Sequence, residues 1–208
     1  MLIKVCGMFC SENIAELIKL KPDMLGLIFY AKSPRNAFNA NADYVSKIRD
    51  VEKVAVFVNE EVETMHALCQ KYAITHIQLH GKESVETIKE LKSLGYKITK
   101  AISIANKEDL GGIAPYDEAC DRILLDTKCD SHGGSGKKFD WAILEYYCYK
   151  SPFMLSGGIT LDDASEILAI QNPKLLGVDI NSRFECENNL KDIRKIQNFI
   201  KKIRNDYE

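Results

Sequence analysis

Two ionisable side chains close short apolar runs of this chain: Cys6 ends Leu2-Ile-Lys-Val-Cys6 before Gly7, and Asp126 ends Ile123-Leu-Leu-Asp126 before Thr127. A thiol facing a carboxylate is a plausible base and acid pair for moving protons on one molecule. Alone, each has a blander reading. An isolated cysteine is commonly a packed small side chain, and an aspartate at a strand end commonly caps a turn. Strand alternation places residues 2, 4 and 6 on one face and residues 122, 124 and 126 on one face. On equivalent strands of a closed barrel both tips point into the mouth, and together they read as base and acid.

Other residues join them on the same rim. Lys32-Ser-Pro-Arg35 follows the second apolar run; Pro34 stiffens it, and Arg35 presents a planar fork suited to a carboxylate, the alternative being a solvated surface side chain. Gln78-Leu-His80 places a histidine that reads as a hydrogen-bonding wall. Ser156-Gly157-Gly158 follows the seventh run and Asp179-Ile-Asn181-Ser182-Arg183 the eighth. Gly157 and Gly158 let backbone N–H groups approach an anion, and the loops after strands 7 and 8 are the usual phosphate site of a barrel. Asn181, Ser182 and Arg183 are therefore candidate phosphate ligands, and Arg35, His80 and Asp179 candidate substrate ligands. His132-Gly-Gly-Ser-Gly136-Lys-Lys lacks P-loop spacing and reads as a loop that folds over ligand.

These tips need a scaffold of alternating strands and helices. Strands are predicted at Ile3–Cys6, Met24–Ile28, Lys53–Val58, Thr75–Leu79, Lys97–Ile102, Arg122–Asp126, Pro152–Leu155 and Leu175–Ile180, several as near-continuous apolar runs suited to a parallel sheet covered on both faces. Helices are predicted at Ser11–Leu20, Ala40–Arg49, Glu60–Tyr72, Glu83–Leu94, Asn106–Ile113, Asp140–Tyr146, Leu161–Ile170 and Leu190–Arg204. Ser11, Asn59 and Thr160 are the N-cap candidates, and Gly95 a C-cap. Eight βα units at about 26 residues each predict one domain over residues 1–208, an α/β (βα)8 TIM barrel of eight parallel strands. An open doubly wound sheet is disfavoured, because no GxGxxG follows the first strand.

Composition agrees with a soluble globular domain: 46% hydrophobic and 28% charged residues in 208, with a net charge of −2. That charge offers no electrostatic case for nucleic acid, and no apolar run approaches the ~18 residues of a membrane span. With no apolar leader segment at the N-terminus, the expectation is a cytoplasmic protein. Seven scattered cysteines favour free thiols over a disulfide framework, and no His follows Cys6 and Cys10 at zinc-ligand spacing, so no metal is expected.

The segments Lys4-Val-Cys-Gly-Met8, Gly26-Leu-Ile-Phe-Tyr-Ala-Lys-Ser-Pro-Arg35, Val56-Phe-Val-Asn59, Ile77-Gln-Leu-His-Gly81, Leu125-Asp-Thr127, Gly133-Gly-Ser-Gly-Lys137 with Phe139-Asp-Trp141, Leu155-Ser-Gly-Gly-Ile159 and Gly177-Val-Asp179 resemble, in order and over nearly the whole chain, the phosphoribosylanthranilate isomerases of tryptophan biosynthesis. The resemblance implies an Amadori rearrangement of N-(5-phosphoribosyl)anthranilate to 1-(2-carboxyphenylamino)-1-deoxyribulose 5-phosphate. It further implies Asp126 as general acid, Cys6 as general base, Arg35 on the anthranilate carboxylate and loops 7 and 8 on the phosphate. The substrate's own nitrogen is the electron sink, so no cofactor is expected, and the partner is a small phosphorylated molecule bound by a monomer or homodimer. Where many relatives carry Ser-Gly-Val-Glu, this chain has Ser182-Arg-Phe-Glu185, leaving Arg183 either on the phosphate or in solvent. A histidine-pathway sugar-phosphate isomerase resembles this pattern but has an Asp at the place of Cys6. A non-catalytic barrel would not need Cys6 and Asp126, and a thiol-redox protein would want a C-x-x-C motif that is missing.

Overall fold

A computed structural model of the chain describes residues 1–128 and 138–205. Eight parallel strands, β1 (Leu2–Cys6), β2 (Met24–Phe29), β3 (Glu52–Phe57), β4 (His76–Leu79), β5 (Lys97–Ile104), β6 (Arg122–Thr127), β7 (Phe153–Leu155) and β8 (Leu175–Ile180), pair in chain order and close into a barrel. The seam joins β1 to β8, with Leu2 beside Gly177 and Lys4 beside Asp179. All eight strands lie where the apolar runs predict, within two residues at each end.

Alternation along each strand separates two kinds of interior. Outward residues such as Ile3, Val5, Leu25, Leu27, Ile77, Leu79, Ile123 and Leu125 are buried under the helical layer in the main core. Inward residues Met24, Val54, Ala101, Leu124 and Met154 form a small apolar plug inside the barrel. On β8 the alternation changes phase: Phe153 pairs with Leu175, but Met154 pairs with Gly177, skipping Leu176. A one-residue slip exchanges the faces of everything beyond it, so Val178 and Ile180 pack outward and Asp179 meets Lys4 inside.

Among the described residues, six α-helices cover the barrel: α1 (Ser11–Ile18), α2 (Ala42–Lys47), α3 (Val62–Tyr72), α4 (Val85–Ser93), α5 (Ala164–Ala169) and α6 (Ile193–Arg204). The segments predicted as helices after β5 and β6 are 3-10 turns instead, at Lys107–Ile113 and Trp141–Tyr146. Gly111 and Gly112 are poor helix formers, and Pro115 has no N–H with which to continue the ladder. Residues 141–146 carry Trp141, Ile143 and Tyr146, whose stiff side chains lose rotamer freedom in an α-helix. Two predicted caps also move. Cys10, not Ser11, is the N-cap of α1. Asn59 is no cap: in a left-handed turn, it accepts the Lys82 N–H at 2.6 Å and gives its own N–H to Glu83 at 2.9 Å, lacing loop 3 to loop 4. Thr160 does form a capping box with Asp163.

Candidate active site

The tips of β1, β4, β6 and β8 build a polar layer above the apolar plug. Lys4 faces inward and is 1% exposed. Its ammonium donates to Asp179 Oδ2 at 2.6 Å and to Gln78 Oε1 at 2.9 Å. Gln78 Nε2 lies 3.1 Å from His80 Nδ1, and His80 Nε2 lies 3.0 Å from Asp126 Oδ2. The other oxygen of Asp126 accepts the Thr127 N–H at 3.0 Å. A continuous hydrogen-bonded chain thus runs across the mouth from Lys4 to Asp126. Asp179 Oδ1 is buried and has no hydrogen-bond partner among the described residues.

Cys6 is 4% exposed, one inward position above Lys4. Burial pushes its thiol above the ordinary range, the neighbouring Lys4 and Lys191 ammonium groups pull it back, and Asp179 pushes it further up. For Lys4, burial works against the charge, but the Asp179 carboxylate prevails and holds the ammonium above its ordinary value.

A second charged group sits beside Cys6. Arg35 donates through Nε and Nη2 to the two oxygens of Glu185, at 2.6 and 2.7 Å. Glu185 also accepts from Lys191, whose ammonium donates to Asn181 Oδ1 at 2.7 Å. Burial opposes the charge on Glu185, yet Arg35 and Lys191 together hold its carboxyl below the usual range. The cluster folds onto Gly7, which takes φ +78°. A Cβ there would stand 2.8 Å from Asn181 Oδ1 and 2.9 Å from Arg35 Cδ, so only glycine leaves room for this packing. Asn13 fixes the segment from outside, exchanging hydrogen bonds with the Lys191 backbone at 2.8 and 3.0 Å.

The predicted residues therefore fall into two groups on one rim. Cys6, Arg35, Asp179 and Asn181 gather on the β1–β8 side, and Asp126 and His80 on the β4–β6 side. Gly157 (φ +91°) and Gly158 (φ +68°) form the turn after β7. A Cβ on Gly157 would lie 2.2 Å from Thr127 Oγ1, so loop 7 closes tightly on β6. Thr127 Oγ1 donates to the Gly157 carbonyl at 3.4 Å and accepts the Phe139 N–H at 3.3 Å. Ser182 opens a 3-10 turn, Ser182–Phe184, after β8. Arg183 is exposed, and its carbonyl accepts from Lys195 at 2.5 Å. The glycine-rich loop from His132 falls largely outside the described residues; at its far end Lys138 pairs with Asp163 at 2.5 Å. Four residues of this layer were assigned no role from sequence: Lys4, Gln78, Glu185 and Lys191. A signal existed for the first two, since Lys4 shares the inward face with Cys6 and Gln78 with His80.

This is a (βα)8 barrel whose mouth carries a thiol, a carboxylate and several fixed cations, the layout of an acid–base enzyme for a small anionic molecule. The chain belongs to the N-(5'-phosphoribosyl)anthranilate isomerase family, whose model matches residues 3–202. It is 43% identical to the N-(5'-phosphoribosyl)anthranilate isomerase of Parabacteroides distasonis, over 98% of this chain and 93% of that protein. Its fold matches the crystal structure of phosphoribosyl anthranilate isomerase from Thermotoga maritima with a TM-score of 0.85 and 30% identity, covering 99% of this chain and all of that one. A phosphoribosyl anthranilate isomerase in complex with reduced 1-(o-carboxyphenylamino)-1-deoxyribulose 5-phosphate superposes with a TM-score of 0.82 at 27% identity, over 99% of this chain and all of that one.

Proposed function

We propose that this protein catalyses the Amadori isomerisation of N-(5-phosphoribosyl)anthranilate in tryptophan biosynthesis, with Asp126 as acid and Cys6 as base. The observation that supports the assignment of roles is that both groups lie on one rim, Cys6 above Lys4 and Asp126 at the other end of the chain Lys4–Gln78–His80–Asp126. Protonated Asp126 gives its proton to the ribose ring oxygen as the C1′–O bond breaks. The nitrogen lone pair moves in to form a C1′=N⁺ iminium. The Cys6 thiolate takes the C2′ proton, the C–H electrons form C1′=C2′, and the iminium pair returns to nitrogen. The enolamine then tautomerises to the ketone.

Cys6 is raised towards the thiol in the free protein. The iminium supplies a positive charge beside it only once the ring has opened, and an adjacent cation favours the thiolate. Base strength is therefore delivered at the step that needs it. Arg35 holds the anthranilate carboxylate, and the unpartnered Oδ1 of Asp179 accepts a ribose hydroxyl, because a buried carboxylate oxygen without a donor is costly until a ligand supplies one. Gly157, Gly158, Asn181, Ser182 and Arg183 line the phosphate end on loops 7 and 8. Loss of anthranilate-type fluorescence on mixing with freshly made phosphoribosylanthranilate tests the assignment. Rapid loss in the native protein and almost none in Asp126→Asn is expected; no loss in either overturns it.

A further inference from the structure

The chain across the mouth has a direction. An ammonium can only donate, so the Gln78 oxygen at 2.9 Å from Lys4 Nζ must be Oε1. That leaves the Gln78 NH₂ facing His80 Nδ1 at 3.1 Å, and an amide nitrogen can only donate there. Nδ1 must then be the acceptor, so the ring hydrogen sits on Nε2 and points at Asp126 Oδ2, 3.0 Å away. Each assignment follows from the one before it, beginning at a group with no acceptor capacity, so the tautomer is set by connectivity and not by a choice of flip. The anchor is firm, because Lys4 is itself pinned to Asp179 at 2.6 Å.

We infer that Gln78 is a positioning residue that locks His80 in the Nε2–H tautomer, so that the ring meets Asp126 as a hydrogen-bond donor and not as a base. With a hydrogen already on Nε2, His80 cannot take the proton of Asp126. Without the Gln78 donor, Nδ1 is free to hold a hydrogen, Nε2 becomes a base 3.0 Å from the acid, and the proton is drained from the group that must protonate the ring oxygen. Among the described residues the Gln78 side chain hydrogen-bonds only Lys4 and His80, so its effect reaches the reaction through His80. The kinetic consequence rests on the isomerase reading; the tautomer does not.

The test uses the full-length protein with 15N-labelled histidine, His80→Asn identifying the His80 resonances. The native ring is expected to show an unprotonated Nδ1 and a protonated Nε2. Gln78→Glu reverses the polarity, since a carboxylate accepts from both Lys4 and the ring, and is expected to place hydrogens on both nitrogens. The resulting imidazolium 3.0 Å from Asp126 favours the ionised carboxylate, and general acids contribute about 10²–10⁴-fold, so kcat in this variant should fall at least about tenfold while KM stays within about twofold. Gln78→Met, which imposes no direction, should give a mixture of tautomers. A native ring with hydrogen on Nδ1, a Gln78→Glu ring unchanged from native, or an unchanged kcat despite a doubly protonated ring would each overturn the inference. If the native protein does not turn over phosphoribosylanthranilate, the isomerase reading fails while the ring signals still decide the tautomer.

Discussion

Arg35 and Glu185, 150 positions apart in sequence, meet in a two-point contact in which Nε and Nη2 reach the two carboxylate oxygens at 2.6 and 2.7 Å. The guanidinium that the proposed mechanism gives to the substrate carboxylate is thus already oriented by a carboxylate of the protein. The proposed mechanism gives Nη1 to the ligand. Such preorganisation removes the cost of ordering a long side chain on binding.

Arg35→Ala is accordingly expected to raise KM more than it lowers kcat. A hydrogen bond to a charged group contributes about 1.5–3 kcal/mol, or roughly ten- to 150-fold in affinity. Glu185→Gln should raise KM too, and should destabilise the fold, because Lys191 beneath it is fully buried and loses its carboxylate. Steady-state kinetics and urea titration separate the two effects.

Cys6→Ala and Asp126→Asn should each lower kcat by about 10²–10⁴-fold with cooperative unfolding retained. Asparagine is close in shape to Asp126 and keeps an oxygen for the Thr127 N–H, so loss of activity would not reflect loss of structure. Normal turnover in Cys6→Ala would remove the thiol from the mechanism.

Lys100 and Glu83 form an ion pair at 3.1 Å with both side chains 2% exposed. Lys100 also donates to the Leu79 and Gly81 carbonyls, and Glu83 accepts the Asn59 and Gly81 N–H groups. The pair clamps the loop that carries His80. Lys100→Met strands the carboxylate in the interior, and breaking such a pair costs about 3–5 kcal/mol, to be read as a lowered urea midpoint.

Glu52 titrates at about 2, held down by the hydrogen bond from His76, against the cost of burial and with help from Arg122 and Lys97. In the unfolded chain it returns to the ordinary range near 4.5. Its contribution to stability is therefore complete above that range and is lost as the pH falls towards about 2. Urea midpoints measured against pH should show a shallower acid decline in Glu52→Gln than in the native protein.

The barrel was legible because parallel strands covered on both faces announce themselves as apolar runs at regular spacing. Cys6 and Asp126 were legible as the ionisable residues at the ends of such runs. The buried ions were not. Lys4 reads as an ordinary interruption of an apolar strand until Asp179, 175 residues away, is seen beside it. Burial of a charge is decided by its partner, and no local pattern links positions 35 and 185 or 4 and 78. The two missing helices had a different cause: Gly111-Gly112 and a six-residue segment carry apolar residues at helical spacing, but their backbone does not sustain the α form.

Asp179 and Lys191 belong to the last βα unit, yet they complete the surroundings of Cys6 in the first. Synthesis runs from the N-terminus, and early segments begin to organise as they emerge. The thiol and its buried ammonium neighbour Lys4 are made seven strands ahead of β8 and wait for the rest of the barrel before their counter-charges arrive. A ribosome-bound intermediate ending before β8 therefore carries Lys4 without its carboxylate. Competence at this site becomes a signature of ring closure, something no half-barrel fragment can display.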